Sequence, residues 1–260
     1  MFDRKSITLE GKKGLVIGIA NDQSIAYGCA RAFKHLGAED LAVTYLNDKA
    51  KPYVQPLAEE VGASIFMPLD VSVEGQMESV FAAIERDWGG LDFALHSIAF
   101  APKDDLHGRV VDCSREGFLA AMDISCHSFI RMAQLAEPLM SNGGALFAMS
   151  YYGADKVIEN YNVMGPAKAA LESTARYMAW ELGRKGIRVH ALSPGPLKTR
   201  AASGIKDFDA LLDKAAAEAP VGQLVDIDDV GIVCACLATD ASALLTGHTV
   251  YVDGGLHIMG

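Results

Sequence analysis

The chain lacks most of the marks that would place it outside a cell or in a membrane. Its five cysteines, Cys29, Cys113, Cys126, Cys234 and Cys236, are odd in number, form no Cys-x-x-Cys pair and have no histidine at zinc spacing. That pattern excludes a disulfide framework and a structural metal site, so no metal is expected and the thiols read as small buried residues of a reducing compartment. No apolar stretch reaches spanning length, so no membrane is expected. Asp3, Arg4, Lys5, Glu10, Lys12 and Lys13 interrupt or precede the first apolar run, at 14–20. This does not read as a signal peptide, and the expectation is a soluble, cytoplasmic protein. Positive charge is also scarce: 23 Lys and Arg face 33 Asp and Glu, a net charge of −10. With no basic cluster as a local exception, a nucleic-acid partner is excluded. No repeat at solenoid spacing is present.

What remains is a chain of 260 residues, half of them hydrophobic, with 25 glycines spread along it. It suits a single domain spanning 1–260 that buries about three quarters of its unfolded surface. Short apolar runs alternate with longer helical patterns. The runs are Leu15-Val16-Ile17, Leu41-Ala42-Val43, Ile65-Phe66-Met67, Phe93-Ala94-Leu95, Ala145-Leu146-Phe147, Val189-His190-Ala191 and Val250-Tyr251-Val252. Helices are predicted over 25–36, 53–61, 73–88, 115–140, 161–184 and 207–238. Continuous apolar strands are buried on both faces, as in a parallel sheet covered by helices. The fold class is therefore α/β, a Rossmann-like doubly wound parallel sheet of about seven strands, with ligands at the carboxyl edge.

Chemistry concentrates in the second half. Tyr151 and Tyr161 lie ten positions apart, and Lys168 follows seven later. If a helix starts near Tyr161, seven residues are about two turns, so phenol and ammonium share a face. A nearby cation favours phenolate and stabilises developing negative charge, as a proton donor to an enolate or alkoxide requires.

The first strand ends in a turn and helix start, residues 18–28. Gly18 ends the strand, Ser24 is placed to cap the helix before Ile25, and small Ala26 and Gly28 let backbone N–H groups approach a pyrophosphate at the helix N-terminus. A simple strand-to-helix turn is the alternative. Asp70-Val71 closes the third strand, where a carboxylate can accept from an adenine amino group or else cap the next helix. Ser97-Ile98 closes the fourth and offers room for a ribose. Leu46, beyond the second strand, is neither the acid of an NAD site nor the base of an NADP site, and Asp48 and Lys49 argue in opposite directions. NADH is favoured, with NADPH open.

The chain resembles the divergent short-chain dehydrogenase/reductases, and within them the bacterial enoyl-acyl-carrier-protein reductases. The resemblance rests on Tyr161-x6-Lys168, Tyr151 upstream, the stretched 18–28 turn, Ser97-Ile98-Ala99-Phe100-Ala101-Pro102, Tyr161-Asn162-Val163-Met164-Gly165, Ser193-Pro194-Gly195-Pro196-Leu197-Lys198-Thr199, Ala201-Ala202-Ser203-Gly204-Ile205 and Val252-Asp253-Gly254-Gly255. It implies NAD(P)H-dependent reduction of trans-2-enoyl thioesters, carried on an acyl carrier protein, in fatty acid biosynthesis. It implies that Tyr161 binds the thioester oxygen, that Lys168 holds the nicotinamide ribose and that Tyr151 assists. Tyr152 is the off-by-one alternative to Tyr151. Leu197, Thr199 and Ala201 are implied at the nicotinamide and pyrophosphate. Ala101 is implied where the thioester enters, and Met164, Ile205 and Phe208 along the acyl chain, beneath a lid at about 197–215. A homotetramer is implied as well. An acidic carrier would be repelled by the net charge unless basic residues form a patch at the mouth of the site. The rival readings are a short-chain ketoreductase acting on 3-oxoacyl thioesters and a non-catalytic dinucleotide-binding protein.

Overall fold

Each apolar run becomes a strand because burial on both sheet faces selects it: β1 (Lys13–Ile17), β2 (Asp40–Tyr45), β3 (Ile65–Pro68), β4 (Phe93–His96), β5 (Gly144–Met149), β6 (Ile187–Pro194) and β7 (Thr249–Val252). The computed structural model describes residues 7–197, 199 and 208–259, the side chains of 208–211 excepted. Among the described residues the seven strands form one sheet in the order β3-β2-β1-β4-β5-β6-β7. Every pairing is parallel. Helices α1 (Ile25–His35), α2 (Lys51–Glu60), α3 (Gln76–Trp88), α4 (Lys103–Leu106), α5 (Arg115–Met122), α6 (Ser128–Ala136), α7 (Met164–Leu182), α8 (Phe208–Glu218) and α9 (Ile227–Ala238) connect them. The strand period of two divides the core. Leu15, Ile17, Leu146 and Val189 pack with Met77, Phe129 and Leu171 of α3, α6 and α7. Val16, Val43, Leu95 and Phe147 pack with Phe33, Val54 and Cys234 of α1, α2 and α9.

Three predicted helices are corrected. The 115–140 pattern is interrupted by a π turn at Asp123–His127 and ends in a 3-10 turn at Glu137–Leu139. Hydroxyl groups enter the ladder at the first break: Ser128 Oγ donates to the Ile124 carbonyl at 2.7 Å, and side chains inserted this way widen helical turns. The 207–238 pattern is two helices. Pro220 lacks an N–H, Gly222 sits at φ 74°, and Asp226 starts α9 with a capping box: its side chain accepts from the N–H groups of Asp228 and Asp229, and the Asp229 side chain accepts from the Asp226 N–H. Such a box makes a strong new helix start.

The third correction bears on the site. α7 begins at Met164, not near Tyr161. Asn160 and Asn162 occupy left-handed backbone, at φ 61° and 38°, which a right-handed helix cannot include. Tyr161 is therefore presented by a turn ahead of the helix that carries Lys168, and the two do not share a helical face.

Candidate active site

The strand order reverses between β1 and β4, whose crossovers leave on opposite sides. In such a sheet the crevice at the carboxyl ends of those strands receives the ligand. A cleft of about 330 Å3 opens there, beyond β4, β5 and β6, a size typical of small-molecule sites. Its lining includes Ile25, Ser97, Ile98, Ala101, Tyr151, Tyr161, Met164, Lys168, Leu197 and Thr199. Gly18, Ser24, Leu46, Asp70 and Val71 are not in that lining but follow the ends of β1, β2 and β3 along the same edge. Ala201 and Ile205 lie outside the described residues, as does the side chain of Phe208.

The turn after β1 fits a dinucleotide, with two changes to the expected parts. Gly18 has φ 112°, and a Cβ there would lie 2.1 Å from the Ser97 carbonyl oxygen; only glycine lets the ends of β1 and β4 close against each other. Ser24 stands at the N-cap of α1, yet its side chain caps none of the helix N–H groups. Its hydroxyl instead accepts from Ala20 and Asn21 at 3.0 and 3.1 Å. The turn is thereby braced from within, and the positive end of α1 is left for an anion. Gly28 serves packing rather than phosphate approach, since a Cβ would meet the Ile227 carbonyl oxygen at 2.1 Å where α1 crosses α9. Asp70 does not cap α3, whose N-cap is Gly75; its Oδ1 accepts from the N–H and hydroxyl of Ser72. Among the described residues no cluster of His, Cys, Asp and Glu is placed to hold a metal ion.

Lys168 is 4% exposed, and its Nζ donates to the Met149 carbonyl at 2.6 Å. Burial lowers its pKa to about 8, against upward pushes from Cys126 and Glu172. Tyr151 packs edge-on to Tyr161 at 5.0 Å and to Tyr152 at 4.8 Å. Of the adjacent phenols, Tyr151 is the one in the cleft lining. Its buried hydroxyl has no well-aligned hydrogen-bond partner among the described residues, so a ligand atom is the natural partner. Burial raises the Tyr151 pKa far above the ordinary phenol value, and the neighbouring phenols add to this. Burial raises Tyr161 strongly too, with the Glu172 carboxylate adding. Both phenols are thus held as neutral donors, contrary to the expectation that Lys168 would favour a Tyr161 phenolate. The arrangement can therefore donate hydrogen bonds to charge that develops on a ligand.

Sequence reasoning missed the support beneath this group. Ser150 donates to Glu172 Oε1 at 2.6 Å, a link signalled only by Glu172 standing one turn after Lys168. Ser125, fully buried in the π turn, accepts from the Phe100 N–H at 2.9 Å and donates to the Phe100 carbonyl at 3.1 Å. It thereby fixes the loop that carries Ala101.

The chain is similar to known proteins over nearly its whole length. A family model described as Enoyl-(Acyl carrier protein) reductase matches residues 18–257. The enoyl-[acyl-carrier-protein] reductase [NADH] 1 of Rhizobium meliloti is 46% identical over 252 residues, covering 97% of this chain and 92% of that protein. The crystal structure of the Anaplasma phagocytophilum enzyme in complex with NAD superposes with a TM-score of 0.93 at 46% identity, covering 97% and 96% of the two chains. The Bacillus cereus enzyme, solved with NADP+ and an indole naphthyridinone, superposes at 0.94 with 39% identity, covering 97% and 98%. Matches of this length and identity extend well beyond a shared sheet, so the chain belongs to the enoyl-(acyl carrier protein) reductase family.

Proposed function

We infer that this protein is an NADH-dependent reductase that converts trans-2-enoyl thioesters on an acyl carrier protein to saturated acyl thioesters in fatty acid biosynthesis. The observation that carries the reading is the convergence of Tyr151, Tyr161 and Lys168 on one cleft at the sheet's switch point. When bound, NADH supplies the hydride that the β-carbon of the enoyl chain accepts. Charge then accumulates on the thioester oxygen, three bonds from that carbon. Tyr161 hydrogen-bonds that oxygen, an interaction stronger in the transition state than in the ground state. Lys168 holds the ribose hydroxyls of the cofactor. Tyr151, with its buried hydroxyl, orients the thioester or assists protonation.

Gly18, Ser24, Ile25, Ser97, Ile98, Leu197 and Thr199 contribute to the dinucleotide site, with Leu46, Asp70 and Val71 at its adenosine end. Ala101 admits the thioester. Met164, in the cleft lining, contacts the acyl chain. No described helix is long and apolar enough to cross a membrane, and the protein works in the cytoplasm. A homotetramer is supported by exposed apolar residues on the outer helices: Tyr177 and Trp180 on α7, Phe118 and Leu119 on α5, and Ile130 on α6. Faces of this kind are ordinarily covered by another subunit.

The test is consumption of NADH and NADPH, side by side, with crotonyl and acetoacetyl thioesters. Turnover of crotonyl thioester with NADH is expected. Turnover of acetoacetyl thioester alone would make the protein a ketoreductase, and cofactor binding without any turnover would make it a non-catalytic dinucleotide-binding protein.

A further inference from the structure

Glu172 is a buried carboxylate to which the roles above assign no task. It stands on α7 one turn beyond Lys168, is 8% exposed, and its Oε1 accepts from the Ser150 hydroxyl at 2.6 Å. A buried carboxylate is costly unless it is paired, and one neutral hydroxyl compensates it only in part. Among the described residues no direct ion pair joins Glu172 to Lys168, and the cation one turn back acts on the carboxylate across a short buried gap. Lys168, in turn, spends one hydrogen bond on the Met149 carbonyl, which is neutral and cannot balance its charge.

We propose that Glu172 is a positioning residue whose carboxylate, anchored by Ser150, keeps Lys168 in the ammonium form that grips the cofactor ribose. The proposal rests on the function inferred above and deepens it. Lys168 faces His96 from β4, Cys126 from the π turn, Tyr161 from the turn before α7, and Glu172 on its own helix. Glu172 faces Ser150 at the end of β5, Tyr161, and Tyr251 from β7. Burial, with the Lys168 cation adding, drives the His96 pKa down to about 3, so that ring is neutral at working pH. Burial and Glu172 both push Tyr161 and Tyr251 upward, so those phenols keep their protons. Lys168 therefore titrates, near pH 8, in a setting where Cys126 and then Glu172 push its pKa up, Glu172 from one turn along the same helix. Glu172 acts on Tyr161 and Lys168 in the same sense, holding a proton on each.

The sign follows. Lys168 is charged below its pKa and loses its charge as pH rises through about 8, so NADH affinity falls over that interval. Removing the carboxylate removes an upward push, and the loss moves to lower pH. The experiment is the NADH dissociation constant, read by nucleotide fluorescence from about pH 6 to about pH 10, for wild type, Glu172→Gln and Glu172→Asp. The midpoint of affinity loss is expected to fall by about one pH unit in Glu172→Gln, as for loss of one nearby opposite charge. A smaller fall in the same direction is expected in Glu172→Asp, where the charge is drawn back by one methylene. Coincident midpoints in all three proteins overturn the proposal, even if the variants bind more weakly at every pH. A wild-type affinity with no alkaline loss overturns it as well. Should Glu172→Gln fail to fold, Glu172→Asp decides alone: a lowered midpoint supports the proposal and an unmoved one overturns it. Turnover of crotonyl thioester by the wild-type enzyme, measured alongside, reports separately on the function itself.

Discussion

Lys168 is tied to Met149 by a 2.6 Å hydrogen bond, the ammonium on α7 donating to the last carbonyl of β5. The cation is thereby fixed to the sheet edge and does not sweep through the cleft on a flexible stem. Lys168→Ala is expected to weaken NADH binding by about tenfold or more, the loss of one charge-assisted hydrogen bond. Titration of nucleotide fluorescence checks this, and an unaltered dissociation constant removes Lys168 from the cofactor site.

Tyr161→Phe deletes one hydroxyl from the cleft and leaves the ring that packs on Tyr151. The lost bond strengthens as charge develops on the thioester oxygen, so kcat falls by roughly a hundredfold or more while KM changes little. Steady-state kinetics with crotonyl thioester give the split. A raised KM at constant kcat would reduce Tyr161 to a binding residue.

The strands were legible because burial on both faces leaves continuous apolar runs such as Leu15-Val16-Ile17, and parallel pairing then fixes which edge receives ligands. The breaks in helices were less legible. A π turn beside the Ser128 hydroxyl, which bonds back to the Ile124 carbonyl, has no composition signal, whereas Pro220, Gly222 and Asp226 did signal the break before α9 but were absorbed into a longer apolar pattern. In the site, the Tyr161 and Lys168 pair was readable as residue types at a spacing. Their geometry was not, because it depends on left-handed Asn160 and Asn162, a conformation asparagine tolerates without announcing. The Ser150–Glu172 bond joins a strand end to a helix 22 residues away, and sequence periodicity does not reach across that gap.

Gly153 gives the Tyr161 ring its seat. A Cβ at this position would approach Tyr161 Cδ1 at 2.7 Å and Cε1 at 2.9 Å, closer than carbon atoms pack, so the ring must move. Gly153→Ala is expected to lower kcat by about tenfold, since small misplacements of a catalytic group carry such penalties, with a thermal midpoint near that of wild type. The pair of measurements matters, because a large fall in midpoint with normal kcat would make Gly153 a folding residue only.

His96 links the site to acid stability. The ring is fully buried at the end of β4, its Nε2 lies 2.6 Å from Ser128 Oγ, and burial with the Lys168 cation lowers its pKa to about 3. The unfolded value is about 6.5, so the unfolded chain binds a proton here that the folded protein refuses. The stability contributed is fully present above about pH 6.5 and is lost as pH falls from there toward the folded value. His190, 0% exposed between the rings of Phe147 and His248 and lowered to about 4 by burial first and Arg188 next, adds a second refusal of the same sign. Each contributes about 1.4 kcal/mol per pH unit across that window. Denaturant midpoints are expected to drop as pH is lowered from about 6.5 to about 5, above the range where most carboxylates titrate. His96→Gln, whose amide can still reach Ser128, should show a shallower slope by one proton. An identical slope in wild type and variant would assign the acid lability to other groups.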